Sequence, residues 1–160
     1  PMEFTYDNIV KFMKDYFKAY NTYAQDPKTT HRMHDYYAPD FEIIHYVAGA
    51  NKISGRDKFL RLMSSHPSSH ETLTPEDIVV DERRKFSVVL LKTEVVDKQL
   101  RKVVVVERYL VHYQLVLDEN DTIKIKKILF FREVLPPGTL DTSDVFKKDP
   151  EMAALFSATN

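Results

Sequence analysis

Three stretches in the second half of the chain are apolar at consecutive positions: Val88-Val89-Leu90-Leu91, Val103-Val104-Val105-Val106 and Ile128-Leu129-Phe130-Phe131. Each lies inside a segment that reads as β-strand. These segments follow one another over residues 77 to 134 with short polar links and no helix between them, which predicts antiparallel hairpins. An antiparallel sheet with one wet face alternates apolar and polar residues along each strand. These strand centres do not alternate, so something must cover each face. Helices in the first third of the chain can cover one. A second copy of the chain is the simplest cover for the other.

The clearest helix spans residues 6 to 25. Placed at 100° intervals, Ile9, Phe12, Met13, Tyr16, Phe17, Tyr20 and Tyr23 fall on one half and Lys11, Lys14, Lys18, Asn21 and Gln25 on the other. Thr5 can cap it, with Asp7 placed to favour the helix dipole. Asp26-Pro27 predicts the start of a second helix, stopped at about Ala38 by Pro39. A short strand follows over 41 to 47, then a turn over 48 to 51. A third helix is expected with Ser54 as N-cap and Asp57 as its capping-box partner, ending before Pro67. Residues 68 to 75 read as a polar connection. The long strands are expected near 78 to 80 and over 86 to 97, 102 to 117 and 123 to 135. In the last of them the alternation slips across Lys126-Lys127, which predicts a β-bulge. Residues 139 to 160 form a tail. Its final helix opens at Asp149-Pro150 and carries Met152, Leu155 and Phe156 on one edge, which needs the sheet or a pocket mouth to dock on.

The fold class is therefore α+β, in a single domain over residues 1 to 160. A net charge of −1 gives no expectation of nucleic acid or an anionic membrane as partner. No apolar run approaches the ~18 residues that span a bilayer. The absence of cysteine excludes disulfides, thiolate metal sites and cysteine nucleophiles, and fits a cytoplasmic protein.

The segments Tyr36-Tyr37-Ala38-Pro39-Asp40-Phe41-Glu42 and Ile53-Ser54-Gly55-Arg56-Asp57, after a long helix ending near Asp26, resemble the nuclear transport factor two-like superfamily. That group includes SnoaL-like polyketide cyclases, ketosteroid isomerases and scytalone dehydratases. The likeness covers roughly residues 5 to 135. It implies a curved antiparallel sheet wrapped around the first helix into a cone, with an apolar pocket at the open end and a homodimer through the outer sheet face. Ketosteroid isomerases use two aspartates and a tyrosine at positions that align with Tyr46, Tyr113 and Tyr16 here. The helix tyrosine is kept, and neither carboxylate is.

Other groups must then supply the chemistry. Tyr16 is either a hydrogen-bond donor to a developing oxyanion or a core aromatic with its hydroxyl satisfied. Glu107 shares a strand face with Tyr109 and Tyr113. It is either a desolvated acid–base group or a rim residue paired with Arg132 or Arg108. His45 and Tyr46 are adjacent on a strand, so only one points inward. His45, with an ordinary pKa near ~6.5, is the better acid–base residue. The candidate catalytic residues are His45, Glu107 and Tyr16. The candidate ligand contacts are Phe12, Tyr20, Tyr46, Tyr109 and Tyr113. His31 and His34 lack a local third ligand, so no metal is expected, and no cofactor is expected either. The expected occupant is a small apolar cyclic molecule. The function is either cofactor-free proton transfer (cyclisation, isomerisation or dehydration) or non-catalytic binding by a dimeric module.

Overall fold

The computed structural model describes residues 4–46, 50–132 and 135–158. Helix α1 spans Tyr6–Ala19. Thr5 accepts a hydrogen bond from the Asn8 amide at 3.2 Å, which satisfies one of the donors a helix start leaves open. The apolar half of α1 is buried at Ile9, Met13, Tyr16 and Phe17. Each such side chain contributes ~1.5–3 kcal/mol. The helix then widens into a π-helical turn, Tyr20–Ala24, which keeps Tyr20 and Ala24 on the buried side.

The second expected helix is a 3-10 helix, Thr30–Tyr36, and it starts later than the Asp26-Pro27 signal. Asp26 instead organises the preceding turn: its carboxylate accepts from the Lys28 amide at 2.9 Å, and its carbonyl from Thr29 and Thr30. Strand β1, Tyr37–Tyr46, begins earlier than expected and runs through Pro39. The ladder to β6 is irregular between Tyr37 and Glu42, where a residue without an amide proton is tolerated. Of the turn expected over 48 to 51, residues 48 and 49 lie outside the described residues, and Ala50 and Asn51 are already strand, paired with Tyr46 and His45. Ser54 does not cap a helix. It ends strand β2, Ala50–Ser54, and the N-cap of helix α2, Arg56–Met63, is Gly55. Gly55 has φ +91°, a conformation that side chains disfavour.

The largest departure from expectation is β3, Ser69–Asp81. It takes in the segment expected as a polar connection, with Glu76 as an extra residue between the Pro75–Leu91 and Asp77–Leu90 pairs. Strands β4, Phe86–Asp97, and β5, Lys102–Leu117, have the expected bounds, and β6 is Ile123–Phe131. The pairs Gln114–Lys127 and Leu115–Ile125 leave Lys126 as the expected bulge.

The six strands form one sheet in the order β2-β1-β6-β5-β4-β3. All neighbours are antiparallel except β1 and β6, so the sheet is mixed, not purely antiparallel. Helix α1 packs on the concave face, and Val89, Leu91, Val111, Tyr113, Leu115, Ile125 and Ile128 are buried there. The opposite face has no cover among the described residues, and Val79, Leu110 and Phe131 are 55%, 57% and 49% exposed.

Two amides tie the helix to the sheet edge. Asn21 bonds the amide and carbonyl of Leu73, each at 2.8 Å. Gln25 does the same with Glu71, each at 2.6 Å. Leu73 and Glu71 are two apart and so share one face of the edge strand.

The tail holds helix α3, Thr142–Phe146, closed by an Asp141–Asp144 capping box, and helix α4, Pro150–Ala158. Leu140, Val145, Phe146 and Leu155 stay exposed, and Met152 is partly buried. No described helix is long and apolar enough to cross a membrane.

Candidate functional site

A cavity of ≈ 150 Å³ lies between the helices and the concave face of the sheet. Tyr16 and Tyr20 enter it from the first helix and its π-turn, and Phe59 and Met63 from α2. The sheet supplies Ile43 and His45 from β1, Glu71 and Leu73 from β3, Leu91 from β4, Val111 and Tyr113 from β5, and Ile128 and Phe130 from β6. Most of this wall is apolar. The polar groups that interrupt it are three tyrosines, one histidine and one glutamate.

The register of β1 settles which neighbour points inward. His45 stands beside Phe130, with ring centroids 5.4 Å apart, and both line the cavity. Tyr46 is on the opposite face, stacked on Phe131 at 4.7 Å and 5° between planes. Tyr46 is thus removed from the site by the two-residue period of the strand. Neither ring nitrogen of His45 has a hydrogen-bond partner among the described residues, and burial lowers its pKa.

Glu71 is the functional candidate that sequence reasoning missed, because it fell in the segment read as a connection. Its backbone is clamped by Gln25 and its Oε1 accepts a bond from the Tyr20 hydroxyl at 2.9 Å. Burial raises its pKa, and the Tyr20 bond opposes that only in part. Glu71 and His45 are therefore both pushed towards their neutral forms by the same desolvation.

The Tyr16 and Tyr37 hydroxyls share a hydrogen bond at 2.8 Å. One bond uses one of their two protons, so the pair keeps a donor. Tyr113 forms edge contacts with Tyr16 and Phe17, at 6.0 and 5.8 Å, while its hydroxyl makes no hydrogen bond among the described residues. Burial holds the pKa of Tyr16, Tyr20 and Tyr113 above the ordinary phenol range, so all three stay protonated as donors.

The remaining candidates lie elsewhere. Tyr109 points inward but sits beyond the cavity wall, against Phe130 at 4.8 Å and beneath the Arg132 guanidinium. Glu107 lies further along the same strand face, 3.3 Å from Arg132, and does not line the cavity. Phe12 packs on Tyr36 at 5.8 Å and lines a separate surface groove of ≈ 700 Å³ near the β5–β6 turn. His34 faces Asp57 at 3.3 Å, and the described residues hold no group of three or more His, Asp or Glu set to bind a metal.

No protein-family model matches the chain, and no curated protein matches it either. Solved structures do match it in shape. A protein of unknown function with a cystatin-like fold from Nostoc punctiforme aligns with TM-score 0.57 at 12% identity, over 85% of this chain and 97% of that one. A nuclear transport factor two-like protein of unknown function from Shewanella baltica aligns with TM-score 0.52 at 12% identity, over 79% and 95%. The chain has the cystatin-like, nuclear transport factor two-like fold. SalBIII, described as an epoxide hydrolase/cyclase-like enzyme in pyran ring formation in the polyether salinomycin, shares this fold. It aligns with TM-score 0.54 at 17% identity, over 76% of this chain and 87% of its own. At these identities the likeness is one of fold. In this cone the helix supplies tyrosines to the cavity, and the two outer parts of the sheet supply His45 and Glu71.

Proposed function

We propose that the cone cavity binds a small, largely apolar cyclic molecule and moves a proton on it with side chains alone, as in a cyclisation, isomerisation or dehydration. The observation that carries this reading is the meeting of His45 and Glu71 in one apolar cavity, beside an unpartnered Tyr113 hydroxyl. A desolvated, neutral imidazole with a free nitrogen is a competent base near neutral pH. In this reading Tyr113 and Tyr16, the latter with its hydroxyl bonded to Tyr37, donate to the oxygen on which charge develops. Glu71, held by Tyr20, gives a second proton from its protonated form, and proton exchange with solvent then restores neutral His45 and protonated Glu71. The ≈ 150 Å³ volume suits a single ring, since an apolar cavity of about this size takes benzene. The ring-forming role described for SalBIII is of the same chemical kind.

The test follows the proton without knowledge of the natural substrate. Cyclohexanone in deuterated water exchanges its α-hydrogens, and nuclear magnetic resonance reads the rate. The protein is expected to accelerate exchange. His45→Gln is expected to lower that acceleration by about 10²–10⁴-fold, the usual contribution of a positioned base. Equal exchange with wild type, His45→Gln and Glu71→Gln would defeat the reading.

The uncovered outer face favours a second reading, that the chain is a dimeric binding module without catalysis. Val79, Val104, Val106, Leu110 and Phe131 stand exposed there. Pairing of two copies through this face is part of either reading and is tested by sedimentation below.

A further inference from the structure

The concave face continues past the cavity wall. Leu91 and its cross-strand neighbour Tyr109 form one apolar row, and the next row on the same face is Thr93 opposite Glu107. Two strand residues span about 6.8 Å, so this pair lies one row beyond the Leu91 wall of the cavity, and neither residue lines it. Thr93 also pairs across β3 with Leu73, which is itself part of the cavity wall.

Both residues carry an unsatisfied polar atom. Thr93 is only 3% exposed, and its Oγ1 has no hydrogen-bond partner among the described residues. Glu107 Oε1 accepts from the Arg132 guanidinium at 3.3 Å, while Oε2 is buried without a partner among the described residues. Native interiors pair nearly all such atoms, so two orphans on adjacent strands beside a cavity call for an occupant. Thr93 has a proton to donate, and an ionised carboxylate oxygen in the place of Glu107 Oε2 can only accept. A hydroxyl meets both needs, accepting from Thr93 and donating to Glu107. A carboxylate or phosphate does not, because it would meet Oε2 with like charge.

We infer that Thr93 and Glu107 form a specificity subsite for a hydroxyl carried on the molecule in the cavity, with Arg132 positioning the Glu107 carboxylate. This rests on the cavity reading above and adds a substrate class: hydroxylated cyclic ketones over their bare parents.

The test titrates the intact chain with cyclohexanone and with 4-hydroxycyclohexanone, followed by nuclear magnetic resonance. Wild type is expected to favour the hydroxylated ketone by about ten-fold or more, the worth of a hydrogen bond to a charged group. That ratio is expected to fall towards one in Thr93→Val, which keeps the side-chain shape, and in Glu107→Gln. Circular dichroism checks that each variant is folded. Equal affinity for the two ketones in wild type overturns the subsite and leaves the cavity reading in place, since the orphan atoms then serve water. Loss of both ketones in parallel in Thr93→Val also overturns it, because the residue would then act on cavity shape. If wild type binds neither ketone, the cavity reading falls and takes the subsite with it.

Discussion

On the concave face of the sheet, Val89, Val111 and Leu115 are almost wholly withdrawn from water. On the convex face of the same strands, Val106 and Leu110 remain half exposed or more. The residue types are alike, so hydropathy does not separate the faces. Helix α1 does, by covering only one of them. The polar groups differ in the same way. At the edge of the convex face, Arg108 pairs with Glu76 at 2.6 Å and Lys92 with Glu94 at 3.2 Å, and such exposed pairs contribute little. On the concave face His45, Tyr113, Thr93 and Glu107 present atoms without a hydrogen-bond partner among the described residues. Interruptions of the covered face therefore carry functional weight that interruptions of the bare face do not.

The sharpest way to break this comparison is to truncate one residue on each side. Phe17→Ala removes a fully buried ring and is expected to cost about 3–5 kcal/mol in urea unfolding. Leu110→Ala is expected to stay within about 0.5 kcal/mol in a dilute monomer, as surface changes do. If two copies pair through the convex face, Leu110→Asp converts a sedimenting dimer into a monomer, whereas wild type that sediments as a monomer at micromolar concentration ends that proposal.

A smaller effect is expected where helix and sheet edge meet. Asn21→Ala leaves the Leu73 amide and carbonyl without their partners, at a cost of about 1–3 kcal/mol. Hydrogen exchange should then speed up at the Leu73 amide while the centre of β5 is unchanged. Uniform exchange across both strands would mean that the clamp does not fix β3.

That clamp also explains what could be read from the sequence and what could not. Strands β4 and β5 were legible because their apolar runs are bounded by polar turns. The Lys126 bulge was legible because it breaks an alternation that both faces need. Strand β3 was not. It lies at the sheet edge, Pro75 interrupts it, and Leu73 is its one buried apolar side chain before the bulge. Its edge is satisfied by side chains of a helix far away in the chain, which no local periodicity reports. Asn21 and Gln25 fell on the polar half of the helix, where uncharged amides one turn apart were the only trace of a strand edge. Glu71 was lost with β3, and half of the acid–base pair went with it. The choice between His45 and Tyr46 was likewise closed only by pairing with β6, which sets the parity of β1.

The smallest effect expected is a pH dependence that separates His45 from Glu71 in the cavity. Burial raises the Glu71 pKa, so the folded chain holds that proton to higher pH than the unfolded chain, which titrates near ~4.3. Stability from this group is complete below that value and is lost as pH rises through the folded pKa. Glu71→Gln removes the loss, so its melting temperature relative to wild type should climb across that window and level off above it. His45 runs the other way. Burial lowers its pKa, so the unfolded chain takes up the proton first and stability falls as pH drops below ~6.5. His45→Gln should therefore flatten the acid side of the profile below ~6.5. Melting curves of both variants between pH 4 and 8 check the signs. A Glu71→Gln difference that is constant across that range would mean that the carboxylate is as well solvated in the cone as in the unfolded chain, and the contrast between the two faces would lose its electrostatic half.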